Sequence, residues 1–192
     1  MKKLMVMLAA GFLAVCANAA SVNWVAQKGY IYDGAGDSAT KLTSGTAYLV
    51  MATYAQDDLV SLFAGNNENA AATLTALQGN SAYVGSGAIE SNARISAGTG
   101  TTSATDSFSA YFVIFNDDKM FISATTDSTY DGLAQSHELA FASVSTASKA
   151  FNDVAGGYTG AGWYGAAAVP EPTSGLLMLL GMAGLALRRK RA

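Results

Sequence analysis

Cysteine, histidine and proline are almost missing from this chain of 192 residues, which holds one cysteine, one histidine and two prolines. The cysteine, Cys16, lies in the amino-terminal segment, so the rest of the chain can form neither an internal disulfide nor a thiolate metal site. Stability must come from packing. The only histidine, His137, would have to serve any Ser-His-acid triad, yet no serine sits in a nucleophile elbow. It is expected as a half-exposed strand-edge residue without a catalytic role. Charge is scarce too, with 13% charged residues and a formal net charge of -3. Between the two ends the bases are Lys28, Lys41, Arg94, Lys119 and Lys149, against acids such as Asp33, Asp57, Asp58, Asp117, Asp118 and Asp131. An acidic body repels phosphate backbones, so nucleic acid is not an expected partner.

Metal and phosphate motifs are equally thin. Asp127-Ser128-Thr129-Tyr130-Asp131-Gly132 lacks the alternating ligands of a calcium loop, and Asn116-Asp117-Asp118 would need oxygens from another loop. Both are expected to be turns. The glycine clusters Gly85-Ser86-Gly87 and Gly156 to Gly162 neither lead from a strand into a helix nor carry a lysine, so they do not cradle phosphate. Two acids suffice for a glycosidase, but no pair is marked as buried or perturbed. No catalytic residue, metal ligand or cofactor is therefore expected, and the chain is read as a non-enzyme.

The two ends carry the strongest signals. Lys2 and Lys3 form a positive region, Leu4 to Val15 an apolar one, and Ala17-Asn18-Ala19 a small-residue site. This is the order of a secretory signal peptide over 1–19, with cleavage by signal peptidase before Ala20. Val15 stands where a lipobox would want a small residue, so Cys16 is not read as a lipidation site. At the other end, Val169-Pro170-Glu171-Pro172 contains both prolines. They hold the backbone extended and remove two amide donors, which leaves an exposed strip that joins neither a helix nor a central strand. An apolar run from Gly175 to Leu187 comes next, then Arg188-Arg189-Lys190-Arg191. A helix rising about 1.5 Å per residue over that run reaches roughly 20 Å, short of the roughly 30 Å hydrocarbon core. An ordinary tail anchor would be longer. The basic cluster favours the cytoplasmic side of an inner membrane, with the body outside.

This tail, 169–192, resembles the PEP-CTERM sorting signal of bacterial exported proteins, with Pro170, Glu171 and Pro172 as the motif. The resemblance implies recognition by an exosortase, a membrane-embedded enzyme with a cysteine nucleophile, in hosts that are mostly Gram-negative bacteria making extracellular polysaccharide. It implies transient residence in the inner membrane and then the cell envelope surface or the extracellular space, where exopolysaccharide is a candidate partner.

The body, 20–155, is expected to be a single mainly β domain, a β-sandwich or jelly-roll-like fold with a short helical insert. A Gly/Ala-rich spacer, 156–168, would join it to the tail's hydrophobic helix. Apolar or aromatic runs predict strands over Trp24 to Tyr32, Thr46 to Tyr54 and Phe108 to Phe115. Asn116-Asp117-Asp118 predicts a hairpin to Lys119 to Ala124 at the centre of the sheet. Weaker strands are expected at Tyr83-Val84 and Ala88 to Ile95, an alternating one at Glu138 to Val144, and a last one with Trp163 and Tyr164. Leu59, Leu62 and Phe63 follow two acids at helical spacing, and Asn69 caps a second helix from Ala70 to Gln78 that stops at Gly79. Ser96 to Ser107 and Thr125 to Asp131 are expected as loops. Trp24, Tyr30, Tyr32, Trp163 and Tyr164 are expected in the core or at an edge; if instead they presented exposed faces they would make a sugar-stacking platform, so a carbohydrate-binding module is the alternative to a matrix or structural role.

Overall fold

Apolar and polar residues alternate from the first residue of the expected mature chain, and they form β1 (Ala20–Ala26), in which Ala20, Val22, Trp24 and Ala26 are buried. The computed structural model of the chain describes residues 19–35, 38–142, 144–146, 151–152 and 162–165. The expected signal peptide up to residue 18 and the sorting tail lie outside the described residues. Short β2 (Gly29–Tyr30) and β3 (Thr46–Met51) precede two helices, α1 (Gln56–Gly65) and α2 (Ala70–Gln78). Then come β4 (Tyr83–Ala88), β5 (Ile95–Thr102), β6 (Ser109–Asn116), β7 (Lys119–Ile122), β8 (Thr126–Asp127), β9 (Thr129–Asp131) and β10 (Ser136–Ala140). The described strands close with β11 (Val144–Ser145), β12 (Phe151–Asn152) and β13 (Gly162–Gly165).

The main sheet runs in the order β12-β13-β7-β6-β3-β4-β5-β1-β10-β9, with β8 also on β6, while β11 and β2 pair separately. The β6–β7 hairpin forms as expected: Asn116 pairs with Lys119 and the turn is Asp117-Asp118, with Asp117 at φ 54°. Aspartate tolerates that left-handed conformation better than most side chains.

The sheet is not flat. Four inter-strand steps separate β1 from β6, which in a flat sheet is about 19 Å at about 4.8 Å per step. Yet the rings of Trp24 on β1 and Phe112 on β6 stack at 5.9 Å, and Phe112 also meets Phe141 edge-on at 4.9 Å. The sheet therefore curls until its own inner face closes on itself. That interior holds Val22, Trp24, Leu49, Ile95, Phe112, Ile114, Phe121, Leu139 and Trp163. The mainly β class is what forms, with the main sheet curled; its strand order does not show the two facing sheets of the expected sandwich or jelly roll.

The helical insert covers the outer face of one half only. Leu59, Val60 and Phe63 of α1 and Leu77 of α2 pack with Val50, Tyr111, Val113, Met120, Ile122 and Tyr164. Strand β6 is thus buried on both faces, which explains its unbroken apolar run from Ala110 to Ile114. The Asn69 side chain accepts the Ala72 N–H at 2.9 Å and Gly79 closes α2, as the cap residues predicted. Asp57 and Asp58 occupy the first turn of α1, where negative charge complements the helix dipole.

Two stretches expected as loops are strands. Ile95–Thr102 forms β5, and the 125–131 segment contributes β8 and β9. Glycine and serine argued against β5, but Gly98 and Gly100 face Gly87 and Gly85 across β4, so the two strands approach without side chains between them. The sheet also extends into the stretch read as a spacer: Gly162–Gly165 lies between β7 and β12, with Trp163 and Tyr164 fully buried.

Candidate functional site

The half of the sheet that the helices leave bare presents a polar outer face. Odd-numbered residues of β1 point away from the interior that holds Val22 and Trp24, and register aligns them with their neighbours. Asn23 stands opposite Thr99 on β5 and Glu138 on β10, Thr99 opposite Ser86 on β4, and Glu138 opposite Thr129 on β9. A row Ser86-Thr99-Asn23-Glu138-Thr129 therefore crosses five strands. Over its β5-β1-β10 part runs a groove of about 560 Å³, rimmed by Asp127. The Asp127 carboxylate accepts the Ser109 hydroxyl hydrogen bond. Hydroxyl, amide and carboxylate groups on an open face can hydrogen-bond a hydroxyl-rich ligand.

His137 is not at a strand edge and not half-exposed. It is fully buried on β10, which pairs with β1 on one side and β9 on the other. Its neighbours explain why. The ring lies between Phe108 and Tyr130, with centroids at 4.8 and 4.6 Å. Nε2 is 3.1 Å from Ala104 O, which can only accept, so Nε2 carries the proton and Nδ1 accepts from the Ser128 hydroxyl at 3.3 Å. Ser128 Oγ in turn accepts the Phe108 N–H at 2.9 Å. Both ring nitrogens are used in fastening the 104–108 loop and the β8–β9 junction to β10.

The aromatic platform does not stand exposed. Trp24 is 1% exposed, and Trp163 and Tyr164 are fully buried. Tyr30 and Tyr32 are half-buried, and the Tyr30 ring carries Lys41 Nζ at 3.4 Å from its centroid. Trp24 is held in the interior on β1, which pairs with both β5 and β10.

The acid-rich stretches are turns and short strands. Asp131 Oδ1 accepts the Leu133 and Ala134 N–H groups at 2.9 and 3.2 Å. No group of three or more potential metal ligands forms among the described residues. Asp33 closes the turn before Lys41: its carboxylate accepts the Thr40 hydroxyl at 2.5 Å and the Thr40 N–H at 2.8 Å, and these bonds hold its pKa below the usual carboxylate value. The Tyr54 hydroxyl is shifted the other way, by burial and by Asp58 nearby.

Of the residues singled out at the two ends, Ala19 is exposed and Ala20 is the first, buried residue of β1. Ala17, the strip Val169, Pro170, Glu171 and Pro172, and the cluster Arg188, Arg189, Lys190 and Arg191 lie outside the described residues. Among the described residues no helix is long and apolar enough to cross a membrane. The tail is nevertheless decided by comparison, because residues 168–191 match the family model of the PEP-CTERM protein-sorting motif. The tail is a PEP-CTERM sorting motif. The PEP-CTERM motif marks the chain as an exported protein handled at the membrane by an exosortase-type enzyme and delivered to the surface or the exterior. No curated protein and no solved structure matches the chain.

Proposed function

We propose that the protein is a non-catalytic component of the cell envelope or extracellular matrix, exported by its signal peptide and sorted through its carboxy-terminal tail. The observation that carries this reading is the PEP-CTERM motif over residues 168–191. In sequence the Pro170-Glu171-Pro172 motif comes just before an apolar run, Gly175 to Leu187, that is short for a permanent anchor, an order that a membrane-embedded enzyme can read. The inner membrane is then a transient station. Two features of the body support a role by contact: the one imidazole is engaged at both nitrogens in the interior, and the bare sheet face carries hydroxyl and amide groups.

Intact-mass spectrometry of envelope and medium fractions from the native host tests the sorting. The mature species is expected to begin at Ala20 and to lack residues from about Thr173 onward. Glu171→Ala should leave a longer, membrane-extracted species, and truncation after Val169 should release the body into the medium. A settled surface form that still contains Arg191 would restore the plain tail anchor.

A second reading, contact with exopolysaccharide, is favoured by the row Thr99-Asn23-Glu138 under the groove. In this reading hydrogen bonding across a polar shelf takes the place of the aromatic stacking that exposed rings would have offered. Retention of the processed protein on its host's polysaccharide should then weaken in Asn23→Ala and Thr99→Ala. Equal retention of both variants would remove the shelf from this role.

A further inference from the structure

The ring of Tyr30 collects two cations from separate parts of the chain. Lys41 Nζ stands 3.4 Å from its centroid and the Arg94 guanidinium carbon 4.9 Å from it. The backbone builds this convergence. Tyr32 forms a bridge with Lys41, Leu42 N–H donates to Ile31 O at 3.0 Å, and Ile31 N–H donates to Ala93 O at 2.9 Å. The residues just after Tyr30 thus hold both the Lys41 segment and the turn before Arg94, each by its own backbone bonds.

The ring alone does not neutralise the pair. A cation over an aromatic face gains only a modest attraction, and two positive charges close to one ring repel each other. The acids nearest in sequence are engaged elsewhere: Asp33 with Thr40, and Glu90 with Ser96 Oγ at 2.9 Å and Asn92 Nδ2 at 3.4 Å. Among the described residues neither Lys41 nor Arg94 has a carboxylate partner, and Arg94 Nε is buried without an acceptor. Leaving a buried donor unmatched is costly, so native proteins normally supply such a group with water, an ion or a ligand.

We infer that Tyr30, Lys41 and Arg94 form a site for an oxyanion: a carboxylate, sulfate or phosphate group, free or carried on a larger molecule. The oxygen atoms would take the Arg94 Nε–H and the Lys41 ammonium as charge-assisted donors. Lys41 is exposed and Tyr30 and Arg94 are half-buried, so the group reaches the Lys41 ammonium from solvent, and contact with the buried Arg94 Nε requires the site to open around it. This assigns a chemistry to the folded body that does not depend on the tail, and it lies apart from the shelf residues Asn23 and Thr99. Because the chain as a whole is acidic, attraction acts at short range and weakens with salt.

The test is a titration of the full chain in detergent with sodium sulfate or acetate, at constant ionic strength kept by chloride. The Arg94 Nε–H resonance is followed by nitrogen-resolved NMR. It should shift saturably, and Lys41→Ala should weaken the apparent affinity at least tenfold while Lys41→Arg retains it. Lys41 is exposed, so that variant reports on the site even if Arg94→Ala perturbs folding. Polygalacturonate, a carried carboxylate, is compared with acetate at equal carboxylate concentration, and neutral dextran serves as the control. Tighter binding of the polymer with the same Lys41 dependence assigns a carried oxyanion, and equal binding assigns the free ion. An Arg94 signal that no anion moves, or affinities unchanged by Lys41→Ala, would overturn the site and leave the sorting result untouched.

Discussion

The indole of Trp24 occupies the space that any side chain on Gly98 would need: a Cβ at Gly98 would stand 2.1 Å from Trp24 Cε2 and 2.3 Å from Nε1. The two residues face each other across β1 and β5, and the next strand repeats the arrangement, since a Cβ at Gly87 would meet Trp24 Cζ2 at 3.1 Å. Here two glycines that weaken strand propensity create the bed on which the largest inner side chain lies.

Gly98→Ala should therefore destabilise the protein by about 3 kcal/mol, at the upper end of overpacking costs, because a fully buried indole has no space to yield. Trp24→Phe removes the colliding atoms, and Trp24 Nε1 has no hydrogen-bond partner among the described residues to lose. The double variant should thus be more stable than the two single costs predict. Urea unfolding gives the coupling; purely additive costs would show that Trp24 and Gly98 do not constrain each other.

Much of this architecture was legible where the signal is local. Asn69 and Gly79 bound α2, Asp117-Asp118 makes the hairpin, and the run through β6 is apolar because helices cover its second face. What escaped was non-local. Strand β5 exists because Gly98 and Gly100 meet glycines of β4 and a tryptophan of β1, so its composition misleads when read alone. His137 was misplaced because β10 pairs in parallel with β1, more than a hundred residues away in sequence. The tail was readable without any fold, since its information lies in the order of extended, apolar and basic segments.

His137 gives the second prediction. Replacing it by alanine removes a buried ring between Phe108 and Tyr130 and orphans the Ser128 hydroxyl and the Ala104 carbonyl. A loss of about 3 kcal/mol is expected, in the range of buried aromatic truncation. His137→Phe keeps most of the volume and should cost about 1–3 kcal/mol for the unmatched polar groups. Chemical denaturation measures both. Wild-type stability in the alanine variant would return His137 to the surface role first expected of it.

Acid sensitivity should have a contribution from Asp33. Its folded pKa lies below 3.8 because the carboxylate accepts two hydrogen bonds from Thr40, so the folded state favours the ionised form. The sign is set by that direction: the stabilisation is fully present above about pH 4 and is lost as pH falls through the lower, folded value. The group is largely solvated, so the effect is small. Stability of wild type minus Asp33→Asn, measured between pH 6 and pH 2.5, should be constant at first and then shrink below about pH 4. A difference that grows with acid would contradict the direction of the shift.

The last prediction concerns timing at the amino terminus. Ala17-Asn18-Ala19 is the expected cleavage site, and the residue immediately after it, Ala20, is already the first of β1, buried and paired with Thr102. The next amide, Ser21 N–H, donates to Gln135 O at 3.0 Å, so the strand is held on both sides from its first residues. Proteases act on segments that can be drawn out of the structure, and no slack separates the scissile bond from the sheet. Signal peptidase should therefore act before β1 is seated. Full-length precursor refolded in detergent is expected to be cleaved at least tenfold more slowly than the same chain held in urea at a concentration the peptidase tolerates. Inserting Gly-Ser-Gly-Ser between Ala20 and Ser21 should restore cleavage of the folded form, because the bond then stands clear of β1. Equal cleavage rates for folded and unfolded precursor would show that the first residues of β1 detach readily, and that export sets no order between processing and closure of the sheet.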